Sequence, residues 1–337
     1  MKKQMLNKQL LSLIICLSLI SISACANTAK PANTKGTGQS KFIDKMVEKH
    51  QFNRQELTTL LNKAKVQPRI LKAMSSPAEK RLEWHGYRKI FLKSNRINGG
   101  IKFWNENKEL LNLASQKFGV PPEIIVAIIG VETRYGGNTG SFKVLDSLAT
   151  LGFHYPKRSK FFTSELKHFL LLCREEGFDP LIPKGSYAGA MGKSQFISSS
   201  YRAYAVDGDN DKKRDLWHSN ADIIFSVANY FSEHGWKQDQ EITQPVNVTG
   251  TNYQSLVHKS LKPKHTLKDL VEQSIPVPNN VPLTSVVKLL PLKQANSTEH
   301  WLAFHNFYVI TRYNHSALYA MAVYQLSEEI KKGMKSR

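Results

Sequence analysis

The run PPEIIVAIIGVETRYGG, residues 121–137, constrains the fold most. It reads as a helix opened by Pro121 and Pro122 and closed by Gly136 and Gly137, which supply a left-handed turn. Its central stretch, IIVAII, has no polar face, so the helix has to be enclosed by other elements. One carboxylate, Glu132, stands at its end. Burying a carboxylate is expensive unless it is paired or protonated. Glu132 is therefore either a structural partner of a base such as Arg134, or a group whose pKa is raised by apolar surroundings.

The elements that could enclose this helix are also mostly helical. FIDKMVEKHQ starts a helical pattern at Phe42, and NRQELTTLLNKAK follows with Asn53 and Glu56 at capping-box positions. Ser76-Pro77 suits the start of the next helix, through WHGYRKIFL. NGGIKFWNENKELLNLASQKFG reads as one helix ending near Gly119. Residues 164–177 and 221–235 are two further helices stopped by glycine, and SALYAMAVYQLSEEIKKG is the last. After Trp236 the texture changes. ITQPVNV, SVVKLLPL and WLAFHNFYVITRY are rich in β-branched and aromatic residues and broken by Pro and Asn, around a short helix in TLKDLVEQSI. No internal repeat of useful period is visible.

The N-terminus is a separate unit. Lys2, Lys3 and Lys8 precede the apolar stretch LLSLIICLSLISISA, residues 10–24, which is short for a membrane span. It ends at ISAC, which resembles the bacterial lipobox, in which Cys25 would become the first residue of the mature chain and carry lipid. Residues 26–40, small and polar with Pro and Gly, read as a flexible tether. Cys16 lies in the apolar stretch and Cys173 stands alone, so the mature chain has no pair for an internal disulfide. Cys173, in HFLLLCREE, reads as a small buried apolar residue. The net charge of +20 implies an anionic partner. Export behind a lipobox removes nucleic acid from the choice and leaves the cell-wall polymer, whose stem peptides carry carboxylates.

GVETRYG, residues 130–136, resembles the glutamate motif of the lysozyme-like lytic transglycosylases. Further blocks follow in the same order: SYAGAMGKSQFISSSYRAYAVDGD, DLWHSNADIIFSVANYFSEHGW and FYVITRYNHSALYAMAV. Together they span residues 84 to 324 and are most similar to the membrane-bound lytic murein transglycosylase B family. The resemblance implies a mainly α (α+β) fold with a lysozyme-like helical core over 119–239. It places an N-terminal helical domain over 41–118, a small β-containing insertion over 240–305, and a C-terminal segment, 306–337, that completes the core. It also implies an enzyme acting on glycan strands and stem peptides, while Ala26, not Asp, after Cys25 resembles an outer-membrane lipoprotein, lipid-anchored on the periplasmic face in a Gram-negative bacterium. The same resemblance admits cell-wall synthases as partners.

The implied reaction breaks the bond between N-acetylmuramic acid and N-acetylglucosamine, with the sugar's own 6-hydroxyl as nucleophile. It leaves a 1,6-anhydro end and consumes no water. A glycosidase ordinarily needs two carboxyl groups; here one suffices, and only Glu132 matches the family's acid. It would protonate the glycosidic oxygen and then take the proton of the 6-hydroxyl, without a cofactor. By resemblance Ser186 supports Glu132 and Gln195 hydrogen-bonds the substrate. Tyr87 and Tyr230 match aromatic groove positions, although core packing explains either as well. Tyr313 and Asn314 match a pair near the acid, and Lys157 and Arg158 fall where the family contacts the stem peptide. Lys193-Ser194 before Gln195 departs from the small or uncharged pair of many relatives.

DGDNDKKRDLWH, residues 207–218, resembles an EF-hand loop. Asp207, Asp209 and Asp211 occupy positions 1, 3 and 5, Lys213 would offer its carbonyl at 7, and Asp215 stands at 9. Lys212 replaces the usual glycine at 6, and His218 the glutamate at 12. The family suggests Asp222 as the missing carboxylate and a structural Ca²⁺. An acidic turn neutralised by Lys212, Lys213 and Arg214 is the alternative.

Two other functions fit the same frame. A lysozyme-type hydrolase would need a second carboxylate, for which Asp146 is the nearest downstream, although a helix N-cap role suits it better. A non-catalytic wall-binding lipoprotein would need no acid at all.

Overall fold

The computed structural model describes residues 35–75 and 82–336, with side chains from residue 38 onward. The signal segment, Cys25 and the Ser76-Pro77 pair lie outside the described residues. Fourteen helices and two small sheets are present among those described.

The helix that carries Glu132, α7 (Pro122–Thr133), is the axis of the molecule. Residues 124–129 are fully buried, as an apolar helix without a polar face must be. It is walled by α5 (Ser94–Glu106), α6 (Lys108–Phe118), α11 (Asn220–Glu233) and α14 (Ala317–Lys335). Lys331 of α14 pairs with Glu123 in the first turn of α7 at 2.6 Å, so the last helix of the chain is fastened along the first half of the axis. A second layer pairs α8 (Val144–His154) with α9 (Ser159–Glu176). The N-terminal part consists of α1 (Lys35–His50), α2 (Arg54–Lys63) and α3 (Pro68–Ser75), followed by α4 (Trp84–Phe91). Asn53 caps α2, accepting the Gln55 and Glu56 N–H groups at 2.9 and 3.1 Å.

Several local expectations are corrected. Residues 35–40 are helical, because α1 begins at Lys35 ahead of the buried side chains Phe42, Ile43 and Met46. The stretch expected as one helix before Gly119 is broken at Asn107, whose side-chain amide donates to the Phe103 carbonyl at 2.8 Å and competes with the helix backbone. Gly119 closes α6 in the left-handed conformation. Helix α9 starts at Ser159, five residues before Ser164. Within WLAFHNFYVITRY only the first part is strand; the rest is α13 (His305–Tyr313).

Strands β1 (Phe142–Lys143) and β2 (Lys184–Gly185) pair antiparallel beside the site. The larger sheet contains β3 (Thr243–Val246), β4 (His265–Thr266), β5 (Val286–Lys293) and β6 (Thr298–Ala303) in the order β3-β6-β5-β4, all neighbours antiparallel. Strand β5 is buried on both faces. Val287 and Leu289 join a small core with Leu267 and Leu270 of α12 (Leu267–Glu272), whereas Leu290 and Leu292 join the main core. That double burial explains the nearly unbroken apolar run SVVKLLPL.

Candidate active site

Glycines were expected to end α7, but two larger residues do so first. Arg134 and Tyr135 take left-handed backbone angles, φ 54° and 61°, ahead of Gly136 at 95°. The Arg134 N–H returns to the Gly130 carbonyl and the Tyr135 N–H to Ile129 at 3.3 Å, a Schellman-type ending. Such angles are costly for side-chain-bearing residues. They are held because the Tyr135 ring fills a notch made by three glycines. A Cβ on Gly130 would lie 2.4 Å from the Tyr135 hydroxyl oxygen, and one on Gly100 2.6 Å from it; one on Gly99 would lie 2.9 Å from the ring. The hydroxyl donates to the Arg96 carbonyl at 2.9 Å. Arg96, itself buried, donates to the Gly130 and Val131 carbonyls at 2.9 and 3.3 Å. Burial and the neighbouring Arg134 lower its pKa.

This ending sets Glu132, half-buried, at the negative end of the α7 dipole. The Tyr319 hydroxyl donates to Glu132 Oε1 at 2.5 Å. Tyr319 stands in the first turn of α14, where the Ser316 hydroxyl caps its N–H at 3.3 Å. Burial and then the charge of Glu132 push the Tyr319 pKa well up, as they do for Tyr313. Both hydroxyls are therefore protonated donors throughout the physiological range. The Tyr313 hydroxyl donates to the Ser194 carbonyl at 2.6 Å, one residue before Gln195.

Tyr87 and Tyr230, matched to groove-lining positions, are instead buried at 4% and 7% exposure. Tyr87 belongs to α4 beside Phe91, and its hydroxyl group helps raise the Tyr319 pKa. Tyr230 spends its hydroxyl on the Arg312 carbonyl at 2.7 Å and packs its ring 4.8 Å from that of Tyr313 and 4.1 Å from His234. Both rings are thus largely enclosed by the protein, Tyr87 close enough to Tyr319 to act on its pKa and Tyr230 against Tyr313. Asn314 is exposed at the turn between α13 and α14.

The Gly-rich segment meets the end of α7, where the Thr133 hydroxyl donates to the Lys193 carbonyl at 2.9 Å. The Ser186 hydroxyl accepts the Ala190 N–H at 3.0 Å, which ties the 186–190 turn. Gln195 holds a left-handed backbone, φ 53°, and its side-chain amide donates to the Thr139 and Gly192 carbonyls at 3.1 and 3.0 Å. Its NH₂ is thus turned to the protein. Lys193, the departure from the family pattern, lies with its stem against Gly136 and donates to Asn220 Oδ1 at 2.8 Å. Asn220 in turn donates to Asn107 at 2.9 Å. Burial lowers the Lys193 pKa. Lys157 and Arg158 are exposed on the short turn before α9, with the Arg158 guanidinium 4.3 Å from the Phe161 ring centre.

Asp146 does not cap its helix; Lys143 is at the N-cap of α8. The Asp146 carboxylate reaches back to the chain before α3, accepting the Lys65 N–H at 2.9 Å and the Gln67 amide at 3.1 Å. Both oxygens are occupied by a structural clasp. Cys173 is buried, and burial pushes its thiol pKa up to about 12, so it is inert packing.

In the acidic loop, Asp207, Asp209 and Asp211 bring one oxygen each to within 4.8 Å of one another. Asp207 accepts the Asp211 and Lys212 N–H groups at 3.2 and 2.8 Å, and Asp211 that of Lys213 at 2.8 Å. Lys212 adopts φ 71°, the conformation that glycine takes at this position of an EF-hand. Three converging carboxylates at a tight turn fit a hard, oxygen-seeking cation. Asp222 does not join them. Its oxygens accept the Gly208 N–H at 2.7 Å and the Asp215 N–H at 2.6 Å, and burial raises its pKa. It clasps both ends of the loop from α11. Asp215 is likewise engaged, with the Trp217 and His218 N–H groups at 2.8 and 3.1 Å.

Tyr319, which donates to Glu132, is a functional residue that the sequence analysis did not single out. It sits in ALYAMAV, an apolar run in which a tyrosine reads as core. Its place three residues after Ser316, a good N-cap, was the available clue.

Residues 36–328 match the transglycosylase SLT domain family. Membrane-bound lytic murein transglycosylase B of Escherichia coli is 42% identical over 299 residues, covering 86% of this chain and 81% of that one. The catenated lytic transglycosylase SltB1 of Pseudomonas aeruginosa superimposes with a TM-score of 0.86 at 42% identity, over 89% of this chain and 99% of its own. The E. coli lytic transglycosylase Slt35, solved in complex with calcium, gives 0.81 at 42% identity, over 88% and 94%. With the pattern spanning the chain from α1 to α14, this protein belongs to the transglycosylase SLT domain family.

Proposed function

We propose that the chain cleaves peptidoglycan as a lytic transglycosylase through one carboxyl group, Glu132. The observation that carries this reading is the setting of that carboxyl: the C-terminal turn of a buried apolar helix, with the Tyr319 hydroxyl on Oε1. Two influences oppose each other there. The negative end of the helix dipole and apolar neighbours such as Val131 favour the protonated acid. The Tyr319 donor favours the anion. A group that must first give a proton and then take one needs both forms within reach.

In the first step Glu132 gives its proton to the glycosidic oxygen as the bond between N-acetylmuramic acid and N-acetylglucosamine breaks. In the second, its carboxylate accepts the proton of the muramic acid 6-hydroxyl as that oxygen closes on C1. Proton and bonds balance without water, and the product is a 1,6-anhydro end. Tyr319 fixes the carboxyl through both steps, and Tyr313 holds the Ser194 carbonyl and hence the Gln195 wall. Gln195, with its NH₂ turned to the protein, would accept from a substrate hydroxyl through its carbonyl oxygen. Ser186 ties its own turn, Asn314 before α14 would contact the substrate, and Arg158 with Lys157 suits the carboxylates of stem peptides.

Cys25, in its lipobox-like setting, is the proposed lipid attachment, placing the enzyme on the periplasmic face of the outer membrane. Among the described residues no helix is long and apolar enough to cross a membrane. Asp207, Asp209 and Asp211, with the Lys213 carbonyl, are the residues that would hold a structural Ca²⁺, which neutralises their charge; the calcium complex of Slt35 supports this.

Glu132→Gln tests the assignment. The variant should bind glycan and release no product; retained turnover would remove Glu132 from the mechanism.

A further inference from the structure

We propose that a cleft beside Trp217 is a remote saccharide subsite that continues the glycan groove. The proposal rests on the glycan-cleaving reading above. The cleft, of about 560 Å³, is lined by Phe178, Ile182, Lys184, Asp215, Trp217 and His218. Its indole is pinned on several sides. Trp217 Nε1 donates to the Lys184 carbonyl at 3.0 Å, Tyr201 backs the ring at 5.9 Å, and Phe178 meets it edge-on at 6.0 Å and 85°. The ring nevertheless stays half-exposed, beside Ile182 at 68% exposure.

An apolar platform of this kind with carboxylates and cations on its rim matches a sugar ring, which has an apolar face and hydroxyls around its edge. Continuity with the site points to the glycan as occupant. Lys184 is two residues before Ser186 on the same short strand and turn. Leu216, next to Trp217, accepts the Lys193 N–H at 2.7 Å, two residues before Gln195. The platform and the turn and loop that carry Ser186 and Gln195 thus share one backbone framework. Lys193, through Asn220, braces the same framework from the other side.

The test uses the Glu132→Gln chain, so that substrate stays intact, with peptide-free glycan as a tetrasaccharide and as an octasaccharide. Trp217→Ala should weaken octasaccharide binding about two- to tenfold, the range for one aromatic contact. The tetrasaccharide, which a remote subsite leaves to the positions beside Glu132, should bind as before. Ile182→Asp, at an exposed position that folding does not need, should give the same length-dependent loss. Equal losses for both oligosaccharides, or none, would overturn the subsite. So would a loss seen only with peptide-bearing muropeptides, or a loss of phospholipid-vesicle binding with glycan binding intact. Products from the Glu132→Gln parent would instead count against the catalytic assignment and leave the length comparison readable.

Discussion

The Tyr319 hydroxyl meets Glu132 Oε1 at 2.5 Å, joining the penultimate residue of the central helix to the first turn of the last one. Residues 187 positions apart thus form the contact on which the carboxyl's protonation depends.

Removing that hydroxyl has a defined sign. A hydrogen bond donated to a carboxylate stabilises the anion, so its loss raises the carboxyl pKa. Bonds to charged groups contribute about 1.5–3 kcal/mol, which corresponds to roughly one to two pH units. In Tyr319→Phe the alkaline limb of the activity profile, where Glu132 loses its proton, should move up by about that amount, while the maximal rate falls. A pH–rate profile of the variant checks this; an unmoved limb would separate Tyr319 from the acid.

The glycine notch under Tyr135 predicts a steric effect near the site. Gly130→Ala would place its Cβ 2.4 Å from the Tyr135 hydroxyl oxygen, against a ring that cannot retreat without losing its bond to Arg96. Overpacking of this kind costs about 1–3 kcal/mol. Urea denaturation should show the loss, and activity should fall with it, because Glu132 is two residues farther along. The double variant Gly130→Ala, Tyr135→Leu should recover part of the stability.

The acidic loop predicts a metal-linked stability. Three carboxylates within 4.8 Å repel one another unless a cation joins them. Added Ca²⁺ should raise the melting temperature of the parent chain and do so less for Asp209→Asn. Lys212→Gly should stabilise the loop by roughly 0.5–1 kcal/mol, because Lys212 holds a left-handed angle that glycine adopts freely, and should tighten Ca²⁺ binding by removing a nearby cation. Calorimetric titration of the three chains measures both effects.

Asp146 predicts a purely structural loss. Its carboxylate clasps Lys65 and Gln67 from α8. Asp146→Ala should lower stability by about 1–3 kcal/mol, the cost of leaving such donors unpaired. The reaction products should remain unchanged in kind, which a hydrolytic base at this position would not allow.

How much was legible in the sequence differs from residue to residue. The central helix and the acid at its C-terminal end were plain, because an apolar run closing on a carboxylate has few physical explanations. The sheet strands were readable from β-branched runs, but HNFYVITRY was not, since aromatic and β-branched residues also suit a helix buried against other helices. Tyr87 and Tyr230 matched a motif, but how deeply each ring is enclosed was not legible, because a motif records identity and not exposure. Asp222 was suggested by the resemblance alone, and that two backbone N–H groups bond its oxygens was not legible. The Glu132–Tyr319 contact was hidden because tertiary packing alone brings the two helices together.

The most direct test of a one-carboxyl, water-free mechanism is digestion of purified sacculi in water enriched in oxygen-18, followed by mass spectrometry of the released muropeptides. Unlabelled products ending in 1,6-anhydro-N-acetylmuramic acid are predicted. Reducing ends carrying the heavy oxygen at C1 would contradict it, because water would then have done the work assigned to the sugar's own hydroxyl.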